Sequence, residues 1–146
     1  MQSKDRYFIL PNQSIEDIPT DIQHLFICGC EEYRDKKLII STILFHQLKS
    51  ITISNYCFKH VREFVLDGLE RLESVKIGEN CFTTIYAERN DVVCRITNCP
   101  NLRQLEIGDL SFIDFKSFEL SNLNSIQSIK FGFRCFFYAD FSLKGE

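Results

Sequence analysis

A β-rich solenoid is the fold class predicted by this sequence, and three observations predict it. One eleven-residue phrase recurs: LKSITISNYCF at 48–58, LESVKIGENCF at 72–82, LRQLEIGDLSF at 102–112 and IQSIKFGFRCF at 126–136. Each copy begins with the apolar pattern L-x-x-L-x-L or a close variant, which ends in strict alternation, the period of a strand with one buried face. The chain also has 14 Phe against no Trp and one Met, the composition expected when one ring fills the same structural address in copy after copy. A unit this short cannot bury its own apolar face. Stacked copies bury a continuous core, so self-similarity at a period of about 20–30 residues reads as a solenoid.

Residues 1–21 are read as an N-terminal covering segment, with Ile15 and Ile18 as its apolar contacts. Residues 22–146 hold about five repeats, starting near 22, 48, 72, 102 and 126. The first, IQHLFICGCEE, is faint, but its Ile22, Leu25 and Ile27 match Leu48, Ile51 and Ile53, and so on to Ile126, Ile129 and Phe131. Each copy carries a second apolar pair at i, i+2: Leu38/Ile40, Phe64/Leu66, Cys94/Ile96, Phe118/Leu120 and Phe141/Leu143. These predict a second short strand per coil, a series to which Phe8-Ile-Leu10 is also assigned by its form. A further ladder, Leu69, Cys99 and Leu123, follows three residues on. No segment on this side has a 3.6-residue period, so short strands and turns, with little or no helix, are expected there.

With 146 residues the chain is one domain's worth and buries a real core. A net charge of -3 without any Lys/Arg cluster argues against a nucleic-acid or anionic-membrane surface. The amino-terminal MQSKDRYFILPNQ has no apolar run of signal length, and LIISTILF at 38–45 is too short to span a bilayer, so the chain is read as neither exported nor membrane-spanning. Seven cysteines, an odd number with no paired spacing, fit a reducing compartment, and a cytoplasmic location is expected. Asn12-Gln-Ser14 matches a glycosylation sequon, which matters only in a secreted protein.

LESVKIGENCF and its copies resemble leucine-rich repeats, specifically the divergent BspA-like type in which a small residue precedes Phe; the resemblance covers roughly residues 22–143. It implies a horseshoe segment with a parallel concave sheet and short convex strands. The usual repeat of that family places Asn three residues after the last strand apolar, to bond the backbone of neighbouring coils. Here those sites are Cys30, Tyr56, Asn80, Leu110 and Arg134, and Asn80 alone keeps the pattern. Stability is therefore expected from the Phe column at 58, 82, 112 and 136, each buried ring contributing about 2–3 kcal/mol.

The repeat absorbs most residues that could carry chemistry. Cys57, Cys81 and Cys135 share one column with Ser111, Cys94 falls in the Phe64/Phe118/Phe141 column, and Cys99 in the Leu69/Leu123 column, so all five are expected in the core. Cys28 and Cys30 are expected at the surface, with His24 near. Zinc would need four ligands at recognisable spacing, and a reactive thiol would need an adjacent base, whereas His24 sits in an exposed polar row with Ser50, Ser74, Gln104 and Ser128. No phosphate loop, H-E-x-x-H motif or paired carboxylates are present, so no catalytic residue, metal ligand or cofactor is predicted.

What remains is surface. The concave face is expected to present Phe26, Thr52, Lys76, Glu106 and Lys130 in one row beside the small polar row, a flat strip of mixed charge suited to an extended protein partner. One loop, TTIYAERNDVV at 83–93, is eleven residues where the matching gaps at 59–63 and 113–117 hold five; its Tyr86 and Arg89 join the candidate contacts, although such a loop is as readily a neutral insertion. The expected function is a non-catalytic protein–protein interaction module, its partner another protein. The alternative is a structural unit that self-associates by stacking through an uncapped carboxy-terminal coil, where Phe131, Phe136 and Phe137 have little following sequence to shield them.

Overall fold

Two short alternating segments per repeat form two strands per coil, and successive coils stack in parallel. The computed structural model describes residues 6–9, 14–30, 33, 36–42, 45–83, 92–136 and 139–144. The first series of strands is β1 (Arg6–Ile9), β2 (His24–Ile27), β4 (Ser50–Ile53), β6 (Ser74–Ile77), β8 (Gln104–Ile107) and β10 (Ser128–Phe131), hydrogen-bonded in that order into one sheet. The second series is β3 (Lys37–Ser41), β5 (Glu63–Asp67), β7 (Val93–Thr97), β9 (Ser117–Ser121) and β11 (Asp140–Lys144), which form the other sheet. Every pairing is parallel. The protein is thus a parallel β-solenoid with almost no helix: among the described residues a single 3-10 turn, Ile15–Asp17, is the only helical element.

The register follows the repeat. Leu25, Ile51, Val75, Leu105 and Ile129 lie on one row of the first sheet, and Phe64, Cys94 and Phe118 on one row of the second. Phe8-Ile-Leu10 departs from expectation. Residues 6–9 pair with β2, Tyr7 with Leu25 and Ile9 with Ile27, and so extend the first sheet. Both series share the same two-residue alternation, so period alone does not say to which sheet an isolated apolar pair belongs. The 3-10 turn that follows buries Ile15 and Ile18, and the Ile15 N–H donates to the Tyr33 hydroxyl at 3.1 Å.

Between the sheets runs the Phe column. Phe58, Phe82 and Phe112 are fully buried, and their rings stack at centroid distances of 5.2 Å and 4.4 Å, with Phe136 a further 4.7 Å beyond Phe112. Phe136, expected to be uncovered, is buried because its ring also lies 3.9 Å from that of Phe118. Phe131 is partly exposed, and Phe137 lies outside the described residues.

The corners after β4, β6, β8 and β10 have an unusual backbone. Tyr56, Asn80, Leu110 and Arg134 take φ of 56–64°, and two residues later Phe58, Phe82, Phe112 and Phe136 take φ of 50–63°. Side chains with a Cβ enter this left-handed region at a cost, so neighbours must hold them there. Inter-coil bonds do so: Tyr56 N–H to the Glu79 carbonyl at 2.9 Å, Asn80 to Asp109 at 2.9 Å and Leu110 to Phe133 at 2.8 Å in one direction, with Phe82 to Cys57 at 3.0 Å and Phe112 to Cys81 at 2.9 Å in the other.

Between each pair of left-handed residues sits the small residue. Its side chain reaches back to the preceding coil: the Cys81 thiol donates to the Ser54 carbonyl at 3.1 Å, the Ser111 hydroxyl to Gly78 at 2.7 Å and the Cys135 thiol to Gly108 at 2.7 Å. These bonds serve the coil-bridging role that asparagine has in the pattern the sequence resembles. Cys30 belongs here too, because Phe58 N–H donates to its carbonyl at 2.8 Å just as later Phe residues donate to Cys57 and Cys81. The first corner is one residue shorter than the rest, with Gly29 at φ 70° in place of two residues, and this shifts Cys30 from the asparagine site into the buried thiol column. Its expected exposure is therefore corrected: only Cys28 of that pair is exposed.

The coils approach most closely at the residue just after the strand. A Cβ on Gly108 would lie 2.6 Å from the backbone carbon of Gly78, closer than real contacts allow, and one on Gly78 or Gly132 would collide with the side chain of Asn55 or Asp109. Those side chains cannot withdraw without loss, since they accept the Glu79 N–H at 2.8 Å and the Phe133 N–H at 2.7 Å. At the opposite corner Gly68, Asn98 and Asn122 supply the left-handed positions, and a polar ladder crosses the coils there: Asn98 to Asp67 at 2.9 Å and Asn122 to Asn98 at 2.7 Å.

Two stability outcomes are expected. Phe112→Ala removes a ring stacked on both sides and costs about 3–5 kcal/mol in chemical denaturation. Gly108→Ala pushes two coil backbones apart and costs about 1–3 kcal/mol, whereas an alanine at Ser54, the same row in a coil that already carries a side chain, is tolerated far better. A wild-type midpoint for Phe112→Ala, or equal losses for the alanines at 108 and 54, would contradict this packing.

Candidate functional site

The outward rows of the first sheet form by the same alternation that buries its inner rows. In register, His24, Ser50, Ser74, Gln104 and Ser128 make one row, and Phe26, Thr52, Lys76, Glu106 and Lys130 the next. Lys76, Gln104, Glu106 and Lys130 are exposed, and the others are half-buried. The strip is graded along the stack. Its amino-terminal end is aromatic and small polar, around Phe26 and Thr52, while its carboxy-terminal end is charged in the order Lys76, Glu106, Lys130. Tyr86 and Arg89, the candidate contacts of the longer loop, lie outside the described residues.

Charge on the two sheets is disposed differently. Outside the second sheet, Lys37 lies 3.7 Å from Glu63, and Arg95 lies 3.9 Å from Glu63 and 3.7 Å from Glu119, so opposite charges are linked from strand to strand. Outside the first sheet, Lys76, Glu106 and Lys130 sit on adjacent strands, yet among the described residues none forms an ion pair within 4.0 Å. The second face satisfies its own charges, and the first leaves them to solvent. The sequence reading did not identify the second-sheet ladder. Its signal was the alternation Lys37, Glu63, Arg95, Glu119 at neighbouring strand positions, which acquires meaning only once strand neighbours are known.

The chemistry of the remaining polar groups is limited. His24 Nδ1 lies 2.7 Å from the Ser50 hydroxyl, the contact a serine nucleophile makes with its base. This pair sits on the outward face of the first sheet, and among the described residues no carboxylate is hydrogen-bonded to His24. What it does in this geometry is tie β2 to β4 from outside. Near the second corner Thr42, Gly68, Glu70, Asn98, Pro100, Asn122 and Asn124 line a shallow depression without an aromatic ring. Among the described residues no three His, Cys, Asp or Glu side chains are grouped as a metal ion would require, and no helix is long and apolar enough to cross a membrane.

All seven cysteines are free thiols. Burial pushes the Cys30 thiol up to about 12, with the neighbouring Cys57 and Cys28 adding to the effect, and it raises Cys81 and Cys99 to about 11 and Cys94 well above the ordinary thiol range. Such groups carry almost no thiolate near neutrality and are poor nucleophiles.

No protein-family model matches the chain, and no curated protein or solved structure matches it.

A thiol reagent applied to the native protein is expected to label Cys28 first, Cys135 more slowly because it is only partly covered, and Cys30, Cys57, Cys81, Cys94 and Cys99 only on unfolding. Mass spectrometry of timed digests reads the order. Labelling of Cys30 as fast as Cys28 would place it outside the thiol column.

Proposed function

We propose that the chain is a non-catalytic protein–protein interaction module that engages another protein through the outer face of the first sheet, with Phe26 and Thr52 at one end and Lys76, Glu106 and Lys130 at the other. The observation that carries this reading is the contrast between the faces. The second sheet pairs its outward charges across neighbouring strands. The first sheet holds a Lys–Glu–Lys series in adjacent register without closing it, and charges left open in a fixed order favour a complementary partner and oppose a mismatched one. The adjacent small residues Ser50 and Ser74 beside it let a partner's backbone approach closely there. Tyr86 and Arg89 in the 83–93 loop are proposed as supplementary contacts. The repeat phrase supports assigning the chain to divergent leucine-rich repeats of the BspA-like type, and seven free thiols support an intracellular, cytoplasmic setting.

The test is affinity capture and titration with a charge-reversed strip, Lys76→Glu with Lys130→Glu, beside Lys37→Gln on the second sheet as control. Whichever partner the wild-type protein retains should bind the strip variant at least about tenfold more weakly, roughly 1.4 kcal/mol, with unchanged thermal stability, while the control binds normally. A partner lost equally with the control, or held equally by the strip variant, would remove the first sheet from the interface.

A further inference from the structure

The joint between one coil and the next is built the same way from β2 to β10. The Gln23 carbonyl receives the N–H groups of Lys49 and Ser50 at 2.7 and 3.2 Å, Lys49 those of Glu73 and Ser74 at 2.7 and 3.3 Å, Glu73 those of Arg103 and Gln104 at 2.9 and 3.3 Å, and Arg103 those of Gln127 and Ser128 at 2.8 and 3.0 Å. Gln127 is the next carbonyl in that row. Inward residues are sealed on the inner strands of this sheet and open on its outer strand β10. Leu25, Ile51, Val75 and Leu105 are at most 1% exposed, but Ile129 on β10 is 40% exposed, with Leu123, Ile126 and Phe131 only partly covered around it. At the other outer strand of the same sheet, β1, Tyr7 and Ile9 hold the register positions of Leu25 and Ile27.

We propose that β10 docks against β1 of a second copy of this chain, parallel and head to tail, so that the first sheet runs on from one molecule into the next. Continuing the row places Ser128 beside Arg6, Ile129 beside Tyr7, Lys130 beside Phe8 and Phe131 beside Ile9. Apolar positions meet apolar positions inside, and no like charges meet outside. A two-fold joint between two β10 strands does not meet both conditions within the strand. With Ile129 on the axis Phe131 falls opposite Gln127, and with Phe131 on the axis Ile129 falls opposite Phe133, in both cases beyond the ends of β10. The antiparallel alignment that opposes Ile129 to Phe131 of the other copy sets Lys130 against Lys130 on the axis, and like charges directly opposite each other destabilise a strand pair. The joint is made by the first sheet, because the segment after β1 turns into the 3-10 element at Ile15–Asp17. A head-to-tail contact that repeats the step from one parallel strand to the next adds copies along the stack and produces open linear assemblies. Along such a stack the outer strip of the first sheet repeats from copy to copy.

Sedimentation of the wild-type chain over a wide concentration range should give a weight-average mass that climbs past the dimer without a plateau. A mass that stays monomeric, or one that levels at the dimer, overturns the proposal. Two blocked variants give the polarity: Ile129→Lys at one end of the sheet and Tyr7→Lys at the other, each checked for a wild-type circular dichroism spectrum. Each alone should remain monomeric, and an equimolar mixture should form a one-to-one dimer, since each supplies the end that the other lacks. Dimers of Tyr7→Lys alone would mean a two-fold joint and overturn the proposal, as would a mixture that stays monomeric. If either variant fails to fold, the wild-type concentration series still decides.

Discussion

Everything in this molecule is subordinate to the spacing of parallel strands. Hydrogen bonding sets neighbouring strands about 4.8 Å apart, and every column of side chains that runs along the stack has to repeat at that interval. Flat aromatic rings meet it well: the Phe58, Phe82, Phe112 and Phe136 centroids are 5.2, 4.4 and 4.7 Å apart, so one stack of rings fills the interior without gaps. The same interval excludes a Cβ where backbones run closest, which explains glycine at 78, 108 and 132. It admits a thiol or hydroxyl as the coil-bridging donor, because these are short enough to reach one carbonyl back and no further.

The left-handed corners follow from that geometry. A chain that leaves a strand and must send a ring into the core two residues past an unburied side chain needs two reversals of backbone hand in quick succession. The energetic cost of Tyr56, Leu110 or Phe112 in that conformation is offset by bonds on both sides, from the coil before and the coil after. This division of labour also explains why the corner residue varies freely among Tyr, Asn, Leu and Arg. The backbone conformation is imposed by neighbours, and no corner side chain is buried: Tyr56 and Arg134 are exposed, Asn80 and Leu110 half-buried.

A framework so determined by its interior leaves its outside free to differ, and the two sheets use that freedom differently. Opposite charges lie paired across the second sheet's outer face, whereas the first presents small polar residues and an open Lys–Glu–Lys series. Specificity in a stacked fold can reside in the order of a single outward row, since the rows are held at fixed spacing by everything beneath them. The proposed continuation from β10 to β1 would lengthen that row without changing its design.

Local alternation was enough to place ten of the strands, the Phe column, the outward strip and the burial of Cys57, Cys81, Cys94 and Cys99, since burial in a solenoid is a property of position within the repeat and each copy repeats the evidence. Cys135, expected in the core with them, is only partly covered on the outermost coil. Residues whose environment depends on a neighbouring coil were not legible in that way. Cys30 looked like a surface residue until the shortened corner at Gly29 aligned it with Cys57 and Cys81. Phe8 and Leu10 read as an inward pair of the second series, whereas the register aligns Tyr7 and Ile9 with the inward row of the first sheet and Phe8 with the outward row. The Asp67–Asn98–Asn122 ladder and the ion pairs of Glu63 and Glu119 join residues that are 24 or more apart in sequence, and no local pattern marks them. Hydrophobic period is written within each strand, so the sequence by itself determined what is inside; hydrogen-bond and charge partners are set by which coils become neighbours and in what register, and only the tertiary structure decided those.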